Sequence, residues 1–276
     1  MAQVTDRGPC RAGLARVGVF VVGMLVLGLI FSALITPWIH LSWWKVFRRC
    51  VSIAAAISLW WIVTCLERRT LRSYGFLNWG VGARQLTFGM KLGAMCLVSL
   101  FALGLTVGIY KLHITQPHVK IWLTVVSFIP AALLIGILEE LVFRGFILQQ
   151  LMTCSRPLAV LLSTTAYSFI HLRMSTFSLS TALELGGLFL LGGILALSYL
   201  RTHQLYFAVG LHSVLAYGAI VNKLFIECPY PSISWLVGTN RLINGLLGWG
   251  ILLGIGVLIA QWKEPSNQGR VRDANA

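Results

Sequence analysis

Apolar residues run in long unbroken blocks along this chain rather than in a one-sided helical stripe. Blocks of about 20 residues have the length that crosses a bilayer. Candidate spans lie near residues 17–36, 46–66, 90–111, 121–151, 158–172, 181–200, 205–221 and 243–262. Pro37 closes the first, and Trp38, Trp43 and Trp44 follow it, as expected at headgroup level. A basic linker, Glu67-Arg-Arg-Thr-Leu-Arg72, leads into an amphipathic segment reaching about Phe88. The tail from Lys263 is polar and expected to be disordered. The pattern predicts an all-α integral membrane protein of about eight transmembrane helices. It divides into N-terminal helices 1–3 with basic loops (1–120), a core (121–222), and a last helix with a polar tail (223–276).

Composition sharpens this picture. Of 276 residues, 57% are hydrophobic and only 11% charged, with mean hydropathy +0.82. A soluble domain carries about twice that charge. The net charge of +14 does not point to nucleic acid, because the basic residues fall in short loops between spans. The side holding both termini carries more of them, which predicts cytoplasmic termini in a plasma (inner) membrane. The cysteines Cys10, Cys50, Cys65, Cys96, Cys154 and Cys228 form no CxxC pair, so neither a zinc knuckle nor a disulfide framework is indicated. Gly186-Gly187 and Gly192-Gly193 read as close helix packing.

Candidate chemistry sits inside the fourth block. Glu139 and Glu140 stand side by side in apolar surroundings, with Arg144 one turn on. Carboxylates at membrane depth are costly and mark function. Glu140 and Arg144, at i,i+4, share a helix face and can pair. Glu139 is turned about 100° away and lacks that partner, as suits a general base. His171 ends the fifth block and lies as far beyond the turn near Ser155 as Glu139 lies before it, so the two are level. His212, in the seventh block, is closer to its own turn, and uneven loop depth or helix tilt would bring it to the other two. An intramembrane polar cavity holding an acid and two imidazoles is the expected result.

At these residues the chain resembles the CAAX protease and bacteriocin-processing (Abi) family of intramembrane proteases. That family shows EExxxR, FxxxH and HxxxN or HxxxD motifs on separate helices. The first is complete here, from Glu139-Glu140 to Arg144. The second has Tyr167 in place of Phe, four residues before His171. The third begins at His212 but has Ala216 where Asn or Asp is usual. The resemblance implies peptide hydrolysis in the membrane by a catalytic core over 121–222. Glu139 activates a water, His171 helps hold it, His212 stabilises the oxyanion, and Glu140 with Arg144 holds the architecture. Ala216 removes one donor, which Ser213 or Tyr217 could replace; Asn222 lies about 15 Å along the helix from His212. A zinc ion held by Glu139, His171 and His212 fits the donor types. A metal-free water fits equally, and is the leading reading. Implied partners are membrane lipids and a peptide or protein substrate. Two other functions use the same residues: a non-catalytic scaffold or immunity-type protein, and a proton-coupled transporter.

Overall fold

The apolar blocks become helices because lipid offers the backbone no hydrogen-bond partners. The computed structural model describes residues 8–114, 116–171, 178–238 and 243–262. Its main helices are α1 (Gly8–Ile35), α2 (Trp43–Trp61), α3 (Trp79–Thr106), α4 (His118–Met152), α5 (Arg156–Ile170), α6 (Leu179–Thr202), α7 (Tyr206–Phe225) and α8 (Leu246–Gln261). Six are long and apolar enough to cross a membrane. The other two, α5 and α8, have 15 and 16 residues. They rise only about 23–24 Å, short of the ~30 Å hydrocarbon layer. Of the eight expected spans, six thus have the length and apolarity to cross alone, while α5 packs on α6, and α8 on α6 and α3. Leu172, Arg7 and the tail from Lys263 lie outside the described residues.

The start of α3 is a second correction. Asn78 caps it, its side chain accepting from the Gly80 and Val81 amides at 3.1 and 3.4 Å. The segment before Phe88 and the span from Met90 are thus one helix, and Arg84 lies in that helix rather than in a loop. A third correction concerns the cysteines: Cys10 and Cys154 form a disulfide, with Cα atoms 4.5 Å apart. It ties the start of α1 to the turn after α4. Scattered spacing hid this pair, since the fold alone brings residues 144 apart in sequence together.

Close helix packing rests on small residues. A Cβ at Gly89 on α3 would meet the Phe207 carbonyl at 2.2 Å, and one at Gly210 on α7 would meet the Leu86 carbonyl at 2.2 Å. The two backbones therefore touch. Gly186 lies against Trp249, Gly187 against the Ile243 carbonyl and Gly192 against Thr164, as the glycine pairs suggested; Gly193 faces open space and takes no part.

At the end carrying the disulfide, polar side chains tie the helices together. The buried Glu67 carboxylate accepts from Gln150 (2.6 Å) and from the Tyr74 hydroxyl, and pairs with Arg16 at 3.3 Å. Burial and the Glu67 carboxylate push the Tyr74 phenol above its ordinary range, which keeps it a donor. Gly75, at φ 132°, follows directly. Its carbonyl accepts from the Leu205 amide at 2.9 Å. This contact covers the turn between α6 and α7, whose Leu205 is fully buried. Leu205 is thus sealed in the bundle while His203 of the same turn stays exposed. At the opposite end β1 (Lys111–Leu112) pairs antiparallel with β2 (Ile226–Glu227), joining the ends of α3 and α7.

Candidate active site

The α-helical hydrogen bonding of α4 ends at Glu140 and gives way to a π-helical stretch over Leu141–Ile147. Such stretches often lie at functional sites. The Phe143 carbonyl accepts from the Ser163 hydroxyl of α5 at 3.0 Å. That bond fixes α5 against the site.

Glu140 and Arg144 pair as the i,i+4 spacing requires, at 2.9 Å, both with fully buried side chains. Arg144 also donates to the Gly192 carbonyl at 3.0 Å and packs its guanidinium over the Tyr167 ring at 4.5 Å. The absence of a side chain at Gly192 brings α6 close enough for that bond. Burying two charges is tolerable only with such additional partners.

Glu139 points elsewhere. Its Oε2 lies 3.6 Å from His171 Nε2 and 3.7 Å from His212 Nε2. The oxygen is buried and has no hydrogen-bond partner among the described residues. Glu139 and His171 remain partly accessible, at 26% and 31% of side-chain surface, whereas His212 is nearly closed off at 5%. The acid and both imidazoles gather in one place, His212 included, although counting left it short of the other two.

The second ring nitrogens fix the tautomers. His171 Nδ1 lies 2.9 Å from the Tyr167 carbonyl, an acceptor only, so it carries the hydrogen. His212 Nδ1 lies 2.7 Å from Glu140 Oε1 and does the same. In the neutral rings both Nε2 lone pairs then face Glu139. Thus His212 bridges the two glutamates, a link that spacing did not reveal. Nor did spacing give the Tyr167 hydroxyl a role; it lies 3.4 Å from His212 Nε2.

The family model for type II CAAX prenyl endopeptidase Rce1-like proteins matches residues 121–217. Residues 121–217 are thus similar to that family. The match takes in Glu139, Glu140, Arg144, His171 and His212, and so upholds the resemblance to the CAAX protease family. No curated protein and no solved structure matches the chain.

Within the matched core, the proposed replacements for the missing third-motif donor differ in position. Tyr217 donates to the Val125 carbonyl at 3.2 Å and is engaged there. Ser213 faces Gly136 of α4, where an added Cβ would come within 2.2 Å of its hydroxyl. Ala216 is half-buried. As to a metal, among the described residues no group of three or more His, Cys, Asp or Glu side chains is placed to hold one. The zinc set of Glu139, His171 and His212 does not meet that condition.

Proposed function

We propose that this Rce1-like chain is an intramembrane endopeptidase using a water activated by Glu139. One observation carries the reading: a buried carboxylate oxygen without a hydrogen-bond partner among the described residues, facing two imidazole nitrogens. Gaps of 3.6 and 3.7 Å are too long for direct bonds and suit a bridging water. The water donates one hydrogen to Glu139 and the other to His171 Nε2. As water oxygen bonds to the carbonyl carbon, Glu139 takes a proton and the carbonyl π pair moves onto oxygen. Collapse of that intermediate breaks the C–N bond, and Glu139 returns the proton to the leaving amine.

The oxyanion needs donors. Protonated His212 donates through Nε2 while Nδ1 stays on Glu140. The Tyr167 hydroxyl, absent from the family's usual Phe, turns from His212 towards the same oxygen and makes up for Ala216. Glu140 and Arg144 hold His212 and the π-helical turn in place. The substrate is a peptide bond presented near the membrane surface.

The test is a comparison of membrane proteomes from cells carrying the wild-type chain or Glu139→Ala. Uncleaved precursors should accumulate with the variant while its abundance and melting temperature stay normal. Unchanged processing by Glu139→Ala would sink the catalytic reading and leave a scaffold role.

A further inference from the structure

A crevice of about 490 Å³ lies between the first half of α3 and the end of α8, and no residue of the candidate active site lines it. Arg84, Phe88, Lys91 and Trp262 line it, and no acidic residue does. Arg84 and Lys91 are exposed, two helical turns apart on one face of α3. Among the described residues neither makes an ion pair with a carboxylate. Between them the Phe88 ring packs against Trp262 at 5.0 Å, and Trp262 packs on Phe207 at 5.2 Å, which gives the crevice a firm aromatic floor. Arg201 donates to the Ala260 carbonyl and ties the last turn of α8 to α6 beside it.

Depth makes these cations unusual. Arg84 and Lys91 lie about 8 and 18 Å along α3 from its first residue, within a helix apolar enough to span a bilayer. Long basic side chains can snorkel towards the surface, but a lysine this far along a span is costly without a counter-charge. Below it, Met95 and Val98 continue the same face, 47% and 66% exposed. Charge above and bare apolar surface below match a single amphiphile: an anionic headgroup over an acyl chain.

We infer that this crevice binds the phosphate of an anionic membrane lipid, held by Arg84 and Lys91 against Phe88 and Trp262, with an acyl chain along Met95 and Val98. The chemistry recognised is a phosphate ester, and the exposed apolar face below it selects a lipid over free phosphate. The site stands independently of the protease reading, because its test reads binding.

The purified full chain in detergent is titrated with phosphatidylglycerol, phosphatidylcholine or inorganic phosphate, and bound species are counted by native mass spectrometry. Phosphatidylglycerol should bind at least tenfold more tightly than phosphatidylcholine, and inorganic phosphate should not displace it at equal concentration. Arg84→Gln combined with Lys91→Gln should weaken phosphatidylglycerol binding ~10–30-fold, at about one kcal/mol per basic group. Arg156→Gln, a basic residue elsewhere, should leave it unchanged. Equal binding of the two lipids, displacement by inorganic phosphate, or an unaffected double variant each overturns the proposal. Should the double variant fail to fold, Lys91→Gln alone and the lipid preference of the wild type decide.

Discussion

His212 sets its two ring nitrogens against different glutamates, Nδ1 at 2.7 Å from Glu140 and Nε2 at 3.7 Å from Glu139. One ring thereby couples the structural ion pair to the unpartnered carboxylate. Removing the pair's acid should be felt first as instability. Glu140→Ala leaves Arg144 buried and uncompensated, so a loss of about 3–5 kcal/mol is expected in denaturant unfolding. The Tyr167 hydroxyl makes a different prediction. Tyr167→Phe deletes only a donor and should lower kcat ~10²–10³-fold at unchanged melting temperature. Adding Ala216→Asn to that variant should recover much of the loss, measured on a substrate found by proteomics. If Tyr167→Phe leaves kcat intact, the hydroxyl has no part in the reaction. The identity of these residues was legible in the sequence. Which nitrogen meets which oxygen was not, because rotamers and tautomers follow from neighbours on four separate helices.

At the scale of elements, the site depends on two local departures from regular helix and on one crossing. The π-helical stretch at Leu141–Ile147 follows directly on the glutamates and contains Arg144, and the turn into α7 is pinned by the Gly75 carbonyl. The crossing is that of α3 and α7, where backbones meet at Gly89 and Gly210. Gly89→Val places its Cβ about where the Phe207 carbonyl now stands. Overpacking of this kind costs about 1–3 kcal/mol, so thermal unfolding should show a clear loss, and His212 should be displaced with α7. A variant as stable as wild type would show that the helices are not packed this closely. The Gly89-Met-Lys-Leu-Gly93 spacing displays this small-residue face in the sequence, but which partner it meets is set by the fold.

For the molecule as a whole, the network of Arg16, Glu67, Tyr74 and Gln150, the Cys10–Cys154 bond and the end of α8 all lie at one end of the bundle. The start of α1 and the end of α8 therefore share a side. Basic residues at that end, among them Arg68, Arg69, Arg72, Arg156 and Arg201, favour the cytoplasmic face. A disulfide favours an oxidising compartment instead. The charge pattern acts during insertion, before any pairing of cysteines, and sets the expectation. Reporters fused to either terminus should read cytoplasmic, and thiol trapping in intact cells should find Cys10 and Cys154 paired, as the fold holds them. Reporters reading the opposite side would reverse the orientation.

The sequence by itself determined the class of fold and which polar groups lie inside it. Long apolar blocks can only become helices in lipid, and a carboxylate pair with two histidines inside them is too costly to be incidental. It also carried the i,i+4 pairing of Glu140 with Arg144, since that depends on helix geometry alone. Tertiary structure decided everything that crosses between helices. It set the length of α3 and left α5 and α8 short. It joined Cys10 to Cys154 and brought His212 within 3.7 Å of Glu139. The reason is that spacing along one helix fixes angle and rise, whereas the depth and rotation of one helix against another follow from packing among residues far apart in the chain.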